Sequence, residues 1–188
     1  AAIKPDSDTG SIVTPMHQTA TYVMEKVGKD KGYDYTRSAN PTRAIMEDHL
    51  AALDNGKYGI AFASGMAAID SCLKLLKSGD HVICSDDVYG GTYRLFDQLL
   101  VNYDLHFSFV DTSSPDKVEN AITPETKIIW VETPTNPLLK ITDLNAISKI
   151  AKKNNLLFAV DSTFSTPVFL KPLDFGVDLV MHSTTKYI

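Results

Sequence analysis

Beyond residue 40 the chain alternates between two patterns. Short runs in which nearly every position is apolar are separated by stretches in which apolar residues recur every three to four positions. The runs are GIAFAS (59–64), HVICSD (81–86), HFSFVD (106–111), KIIWVET (127–133), LLFAVDS (156–162) and VDLVMHS (177–183), and each reads as a strand. The periodic stretches read as helices. PTRAIMEDHLAALDNG starts at Pro41, stops at Gly56 and gathers Ile45, Met46, His49, Leu50 and Leu53 on one face. Further helices are expected over 65–77, GTYRLFDQLLVNY, SPDKVENAI and TDLNAISKIAKKN.

Alternation of this kind predicts an α/β domain with a mostly parallel sheet flanked by helices. The strands are continuously apolar, as expected where both faces of a sheet are covered. Residues 1–40 keep neither period and are rich in Thr, Ser, Gly, Asp and Pro. They read as an extended N-terminal arm, and Tyr22, Tyr33 and Tyr35 imply that it docks on something. The expected division is therefore 1–40, arm, and 41–188, α/β domain.

In parallel sheets ligands collect at the carboxyl ends of the strands. Those positions carry Ser64-Gly65-Met66, Asp86-Asp87, Asp111, Glu132-Thr133, Asp161-Ser162-Thr163 and Ser183-Thr184-Thr185-Lys186. Asp86, Asp87 and Asp111 are assigned to helix capping; Glu132 is left open. Ser64 and Gly65 open a helix whose first turn holds only Met66, Ala67 and Ala68, a small neighbourhood that admits an anion to free N–H groups. Asp161 ends an apolar strand, where an ionised carboxylate requires a cationic or hydrogen-bonding partner. Lys186 follows Ser183 and Thr185, whose hydroxyls suit phosphate oxygens.

Composition narrows the classes. The 188 residues are 44% hydrophobic and 22% charged, with a net charge of −5, and no basic stripe for nucleic acid appears. No apolar run approaches a membrane span of ~20 residues, and the start AAIKPDSDTG has no apolar signal core. The two cysteines, Cys72 and Cys84, read as reduced core residues of a cytoplasmic protein. The five histidines are scattered, and no metal is expected. Neither GxxxxGK nor GxGxxG occurs, which disfavours a nucleoside triphosphate.

A phosphate cradle, a carboxylate and a lysine on one sheet rim meet the requirements of pyridoxal 5'-phosphate (PLP). Its phosphate takes N–H and hydroxyl donors, its pyridinium nitrogen a carboxylate, and its aldehyde a lysine. Tyr89, beside Gly90 and Gly91, could stack on the ring.

The segments GYDYTRSANPTR, FASGMAA, DDVYGGTYRLF, FVDTS, VETPTNPLLKITDL, VDSTFSTP and HSTTKYI together resemble the PLP-dependent enzymes of Cys/Met metabolism, the trans-sulfuration family, over the whole chain. The resemblance implies a PLP-dependent transferase-like fold (fold type I). It implies that Lys186 forms the Schiff base, that Asp161 partners the ring nitrogen with Thr163 beside it, and that Tyr89 stacks and assists catalysis. Gly65, Met66, Ser183 and Thr185 would form the phosphate cradle, and Asn136 would lie near the ring hydroxyl. Tyr35 and Arg37 would reach the phosphate of a neighbouring subunit, Arg by its two-pronged fork, so the arm implies a homo-oligomer, a tetramer by resemblance.

The implied substrate is a small amino acid. The expected activity is γ-elimination of cystathionine to cysteine, 2-oxobutyrate and ammonia. γ-Replacement on an O-acylhomoserine by a γ-synthase is the alternative, and methionine γ-lyase follows. Gly91, where methionine γ-lyases carry Cys, points away from the latter, and YGGT points away from β-lyases. Ser162, Thr184 and His17 depart from the usual Asn, Ala and aromatic residue. The family continues past the lysine into a second domain that grips the substrate carboxylate, so the chain is expected to be a fragment. An aminotransferase and a non-catalytic α/β assembly module are the remaining rivals; neither accounts for YDYTR and YGGTYR together with Lys186 and Asp161.

Overall fold

Five strands form one parallel sheet, in the order β2-β1-β3-β4-β5, in the computed structural model, which describes residues 4–188. They are β1 (His81–Ser85), β2 (His106–Val110), β3 (Thr126–Glu132), β4 (Leu157–Asp161) and β5 (Leu179–Met181). Five of the six expected strands are thus present, each within two residues of its predicted start. The chain divides into two compact units, one ending at Ala61 and the other Phe62–Ile188, and the whole sheet lies in the second.

Side chains leave a strand on alternate faces, and the two hydrophobic clusters follow that rule. Val82 and Cys84 of β1, Ile128 and Trp130 of β3, Ala159 of β4 and Met181 of β5 pack on one side with Ile69, Leu73, Leu95, Phe96 and Leu100. Ile83, Ile129, Val131, Phe158 and Val160 pack on the other with Val118, Leu144, Ile147, Ile150 and Ala151. The first side is covered by α2 (Gly65–Leu73) and the segment starting with α3 (Gly90–Arg94), the second by α4 (Pro115–Asn120) and α5 (Leu144–Lys153). This double cover is the reason β1, β3 and β4 carry consecutive apolar residues, at 82–84, 128–131 and 157–160. Phe158 is fully buried. Phe158→Ala in the full-length protein is expected to cost about 3–5 kcal/mol, read as a lowered urea midpoint. Val168→Ala, at an exposed position, should stay within about 0.5 kcal/mol of the parent.

Two elements differ from expectation. The run 59–64 forms no strand. An apolar run becomes a strand only where its backbone finds a ladder, and here the Ala61 N–H donates to the Glu47 carboxylate instead. The helix expected over GTYRLFDQLLVNY is made of three windings: α3, a π-helical turn over Leu95–Leu99 and a 3₁₀ turn over Leu100–Tyr103. The Leu100 N–H bonds the Leu95 carbonyl five residues back. That wider turn aligns Leu95 with Leu100, both buried, which plain α-helical spacing would set on different faces.

In the first unit, α1 (Pro41–Leu53) starts at Asn40, whose side chain accepts from the Thr42 and Arg43 N–H groups. Its Pro41 sits at the first helical position, as read from the sequence. Among the described residues before α1, isolated bridges join Thr21 with Tyr35 and Lys26 with Lys29.

Candidate functional site

The chain leaves β1 to build β2 on one side, then crosses back to build β3 on the other. At such a reversal two strand-end loops diverge and leave a crevice. A cavity of about 250 Å³ opens at this end of the sheet, lined by residues that follow β1, β3, β4 and β5 and by the start of α2. Pockets for small ligands begin at ~300 Å³.

Sequence reasoning placed nine residues of the second unit in a common site: Gly65, Met66, Tyr89, Asn136, Asp161, Thr163, Ser183, Thr185 and Lys186. All nine line this cavity, as does Ser64. Ser64 caps α2 by accepting from the Ala67 N–H at 3.1 Å, which leaves the N–H groups of Gly65 and Met66 outside the cap's reach. A Cβ on Gly65 would stand 3.0 Å from the Ser183 Cβ, so only glycine lets the helix start approach the segment after β5 this closely. The Ser183 and Thr185 hydroxyls lie 2.8 Å apart. Lys186 is exposed on the cavity rim.

Asp161 is only 5% exposed and forms no ion pair among the described residues. Burial raises its pKa, against the lowering effect of hydrogen bonds from the Thr163 hydroxyl and N–H. The Thr163 hydroxyl oxygen in turn accepts from the Ser183 N–H at 2.9 Å. One threonine thus ties the carboxylate at the end of β4 to the hydroxyl segment after β5.

Glu132, which the sequence left open, is buried beside it: the two residues are register partners on β3 and β4. Burial pushes the Glu132 carboxyl up to about 8; hydrogen bonds from the Tyr89 and Asn136 N–H groups pull it down, and the nearby Asp161 charge pushes it up further. The Tyr89 N–H bond measures 2.7 Å.

Capping is not what Asp86 and Asp87 do. The start of α3 has no side-chain cap. Asp87 instead accepts from the Thr135 hydroxyl and, at 2.9 Å, from the Leu138 N–H. Both oxygens of Asp86 bind the Lys140 ammonium at 2.9 Å. Asp111 closes a turn on the Ser113 N–H and hydroxyl, and Lys117 and Lys140 add charge; its carboxyl is lowered to about 2. For Asp86 and Asp87 the capping assignment failed because they reach sideways into the loop after β3, a contact between segments some 50 residues apart that strand-to-helix spacing does not reveal.

Tyr35 and Arg37 belong to the first unit, where the Arg37 guanidinium lies 5.1 Å over the Tyr35 ring. Among the described residues no cluster of three or more side chains is suited to a metal ion, and no helix is long and apolar enough to cross a membrane. Cys72 and Cys84 are both free thiols.

A parallel α/β unit carrying a lysine, a buried carboxylate and a hydroxyl-lined helix start around one strand-end cavity is a small-molecule site of the cofactor-binding kind. Comparison with known proteins fixes its kinship: the model of the Cys/Met metabolism PLP-dependent enzyme family matches residues 1–188, and the chain belongs to that family. It is 52% identical over 186 residues to a cystathionine gamma-lyase of Bacillus subtilis (strain 168), covering 99% of this chain and 49% of the relative. It is 48% identical over 184 residues to a probable cystathionine gamma-synthase of Herpetosiphon aurantiacus, covering 98% and 58%. The crystal structure of cystathionine gamma-lyase from Lactobacillus plantarum complexed with L-serine superposes with a TM-score of 0.95 at 48% identity, over 98% of this chain and 48% of that one. Relatives called cystathionine beta-lyase match at 46 to 49% identity. The chain spans about half the length of these relatives. The family is PLP-dependent, and its relatives include carbon–sulfur lyases.

Proposed function

We propose that the protein carrying this chain is a cystathionine γ-lyase that holds PLP in the strand-end cavity. The observation that carries the reading is the meeting of Lys186, Asp161 and the Gly65–Ser183–Thr185 cradle around one cavity. The donor set suits the group: a buried carboxylate with no ion pair among the described residues, two hydroxyls 2.8 Å apart and a helix start that a Cβ would crowd. Bound there, PLP supplies an electron sink that lets a substrate's Cα proton leave.

The chain's own residues then have distinct tasks. Lys186 would hold the cofactor through its amine, and the same amine, at the cavity rim, is placed to take a proton from a substrate's Cα. Asp161 would hold the ring nitrogen, and the Thr163 bonds keep that carboxylate aimed. Gly65 and Met66 N–H groups and the Ser183 and Thr185 hydroxyls would donate to the phosphate. Tyr89 would stack on the ring and assist proton transfer, and Asn136 would serve the ring hydroxyl. The arm of residues 1–40 carries Tyr35 and Arg37 to the phosphate of a second copy in a cytoplasmic homo-oligomer, while residues 41–188 supply the α/β domain.

Relatives of similar identity carry synthase and β-lyase names, so γ-replacement on an O-acylhomoserine is the second reading, with methionine γ-lyase after it. The test is an assay of the full-length protein with cystathionine, and separately with O-acylhomoserine plus cysteine. Release of 2-oxobutyrate and cysteine supports the γ-lyase. Release of pyruvate and homocysteine, or turnover in the second assay alone, overturns it.

A further inference from the structure

The loops that follow β1 and β3 hold each other. Glu132, the last residue of β3, accepts from the Tyr89 N–H at 2.7 Å, in the loop after β1. Asp87, in the loop after β1, accepts from the Thr135 hydroxyl and from the Leu138 N–H at 2.9 Å, in the loop after β3. Each strand's exit thus sends one carboxyl across to the other exit. Both carboxyls are buried, at 5% and 9% exposure. Two further contacts close the exchange: the Glu132 N–H donates to the Ser85 hydroxyl at 3.3 Å, and Thr135, held by Asp87, accepts the Lys140 N–H at 2.8 Å. The same Glu132 carboxyl also takes the Asn136 N–H.

β1 and β3 are the strands between which the chain reverses direction, so their exit loops diverge and would otherwise be free to splay. Tyr89, in the loop after β1, and Pro134 and Asn136, in the loop after β3, all line the cavity. A site works only where its walls are held by groups that are themselves fixed.

We propose that Glu132 and Asp87 form a reciprocal latch that sets the spacing of the Tyr89 and Asn136 walls, and so act as positioning residues for the ligand between them. The inference rests on the functional reading above for the identity of that ligand. The latch works through acceptor oxygens. An amide that keeps one such oxygen keeps part of the tie, whereas an apolar side chain of similar size removes it without leaving a void.

The experiment uses the full-length enzyme with Glu132→Gln, Glu132→Met, Asp87→Asn, Asp87→Leu and the Glu132→Met/Asp87→Leu double variant. Each is titrated with PLP, and the visible circular dichroism of the bound cofactor is recorded together with kcat and KM. Glu132→Met and Asp87→Leu are each expected to weaken PLP by roughly 10-fold or more, as loss of a buried acceptor that leaves its donors unpaired requires, and to change the dichroism. Glu132→Gln and Asp87→Asn should restore most of both. The double variant should lose less than the product of the two single losses, because both break one device. Wild-type dichroism in Glu132→Met, Gln and Met variants that behave alike, or fully multiplicative losses would each overturn the latch. Absence of covalently held PLP in the parent enzyme would instead strike the functional reading, a result distinguishable from all three.

Discussion

Lys186→Ala is expected to yield a folded protein that no longer retains PLP after borohydride reduction, as read by intact mass, and that has lost essentially all turnover. General acid–base transfer alone contributes about 10²–10⁴, and on the proposed function Lys186 would carry the covalent anchor as well, so the loss should reach the upper end of that range or pass it. Unfolding does not supply a rival explanation. The side chain is exposed at the cavity rim, and substitutions at such positions change stability by no more than about 0.5 kcal/mol. An unchanged melting temperature in the cofactor-free protein is therefore part of the expectation. Retention of the covalent PLP mass in Lys186→Ala would assign the anchor to another lysine.

Asp161→Asn should move stability and activity in opposite directions. In the cofactor-free protein burial raises the Asp161 pKa, so the folded chain keeps a proton that the unfolded chain has released. The folded state is then favoured most below the ordinary aspartate value of ~3.9, and stability falls as pH rises through the folded value. An amide cannot ionise, so it escapes that loss, and its Oδ1 can still accept the Thr163 N–H. Asp161→Asn without cofactor should therefore be the more stable protein at neutral pH, with the difference vanishing towards acid. With cofactor the order reverses. The amide cannot hold a proton on the ring nitrogen by charge, and removal of one such preorganised electrostatic partner costs about 10²–10³ in kcat. Parallel melts at pH 4 and pH 7.5, with and without PLP, test both halves. Equal stability of the two apo proteins at both pH values would show that the Asp161 carboxylate is not strained by burial. A gain in one property with a loss in the other is the pattern of a group kept for function.

Much of the fold was legible because the sheet is covered twice. Consecutive apolar residues at 82–84, 128–131 and 157–160 announce strands buried on both faces, and the amphipathic LNAISKIAKK announces the helix that covers one of them. The polar residues at the strand ends were legible for a related reason: in a parallel sheet the exits share one edge, so Lys186, Asp161 and Ser183 had to lie near one another. Where periodicity was the only guide the reading was less accurate. Residues 59–64 look like a strand but find no ladder, and 91–103 look like one regular helix but contain a π turn that brings Leu95 and Leu100 onto the same side.

By itself, the sequence determined the parallel α/β architecture, the family and the set of residues that meet at the strand ends, because burial pattern and strand direction are written locally, in runs of five to seven residues. The order β2-β1-β3-β4-β5 was decided only by tertiary structure, and with it the placing of the β1 and β3 exits side by side. That adjacency turned Asp87 from an expected cap into an acceptor for Thr135 and Leu138, and gave Glu132 the N–H of Tyr89. A buried carboxyl takes whichever donors surround it, and those donors come from segments more than 40 residues away along the chain.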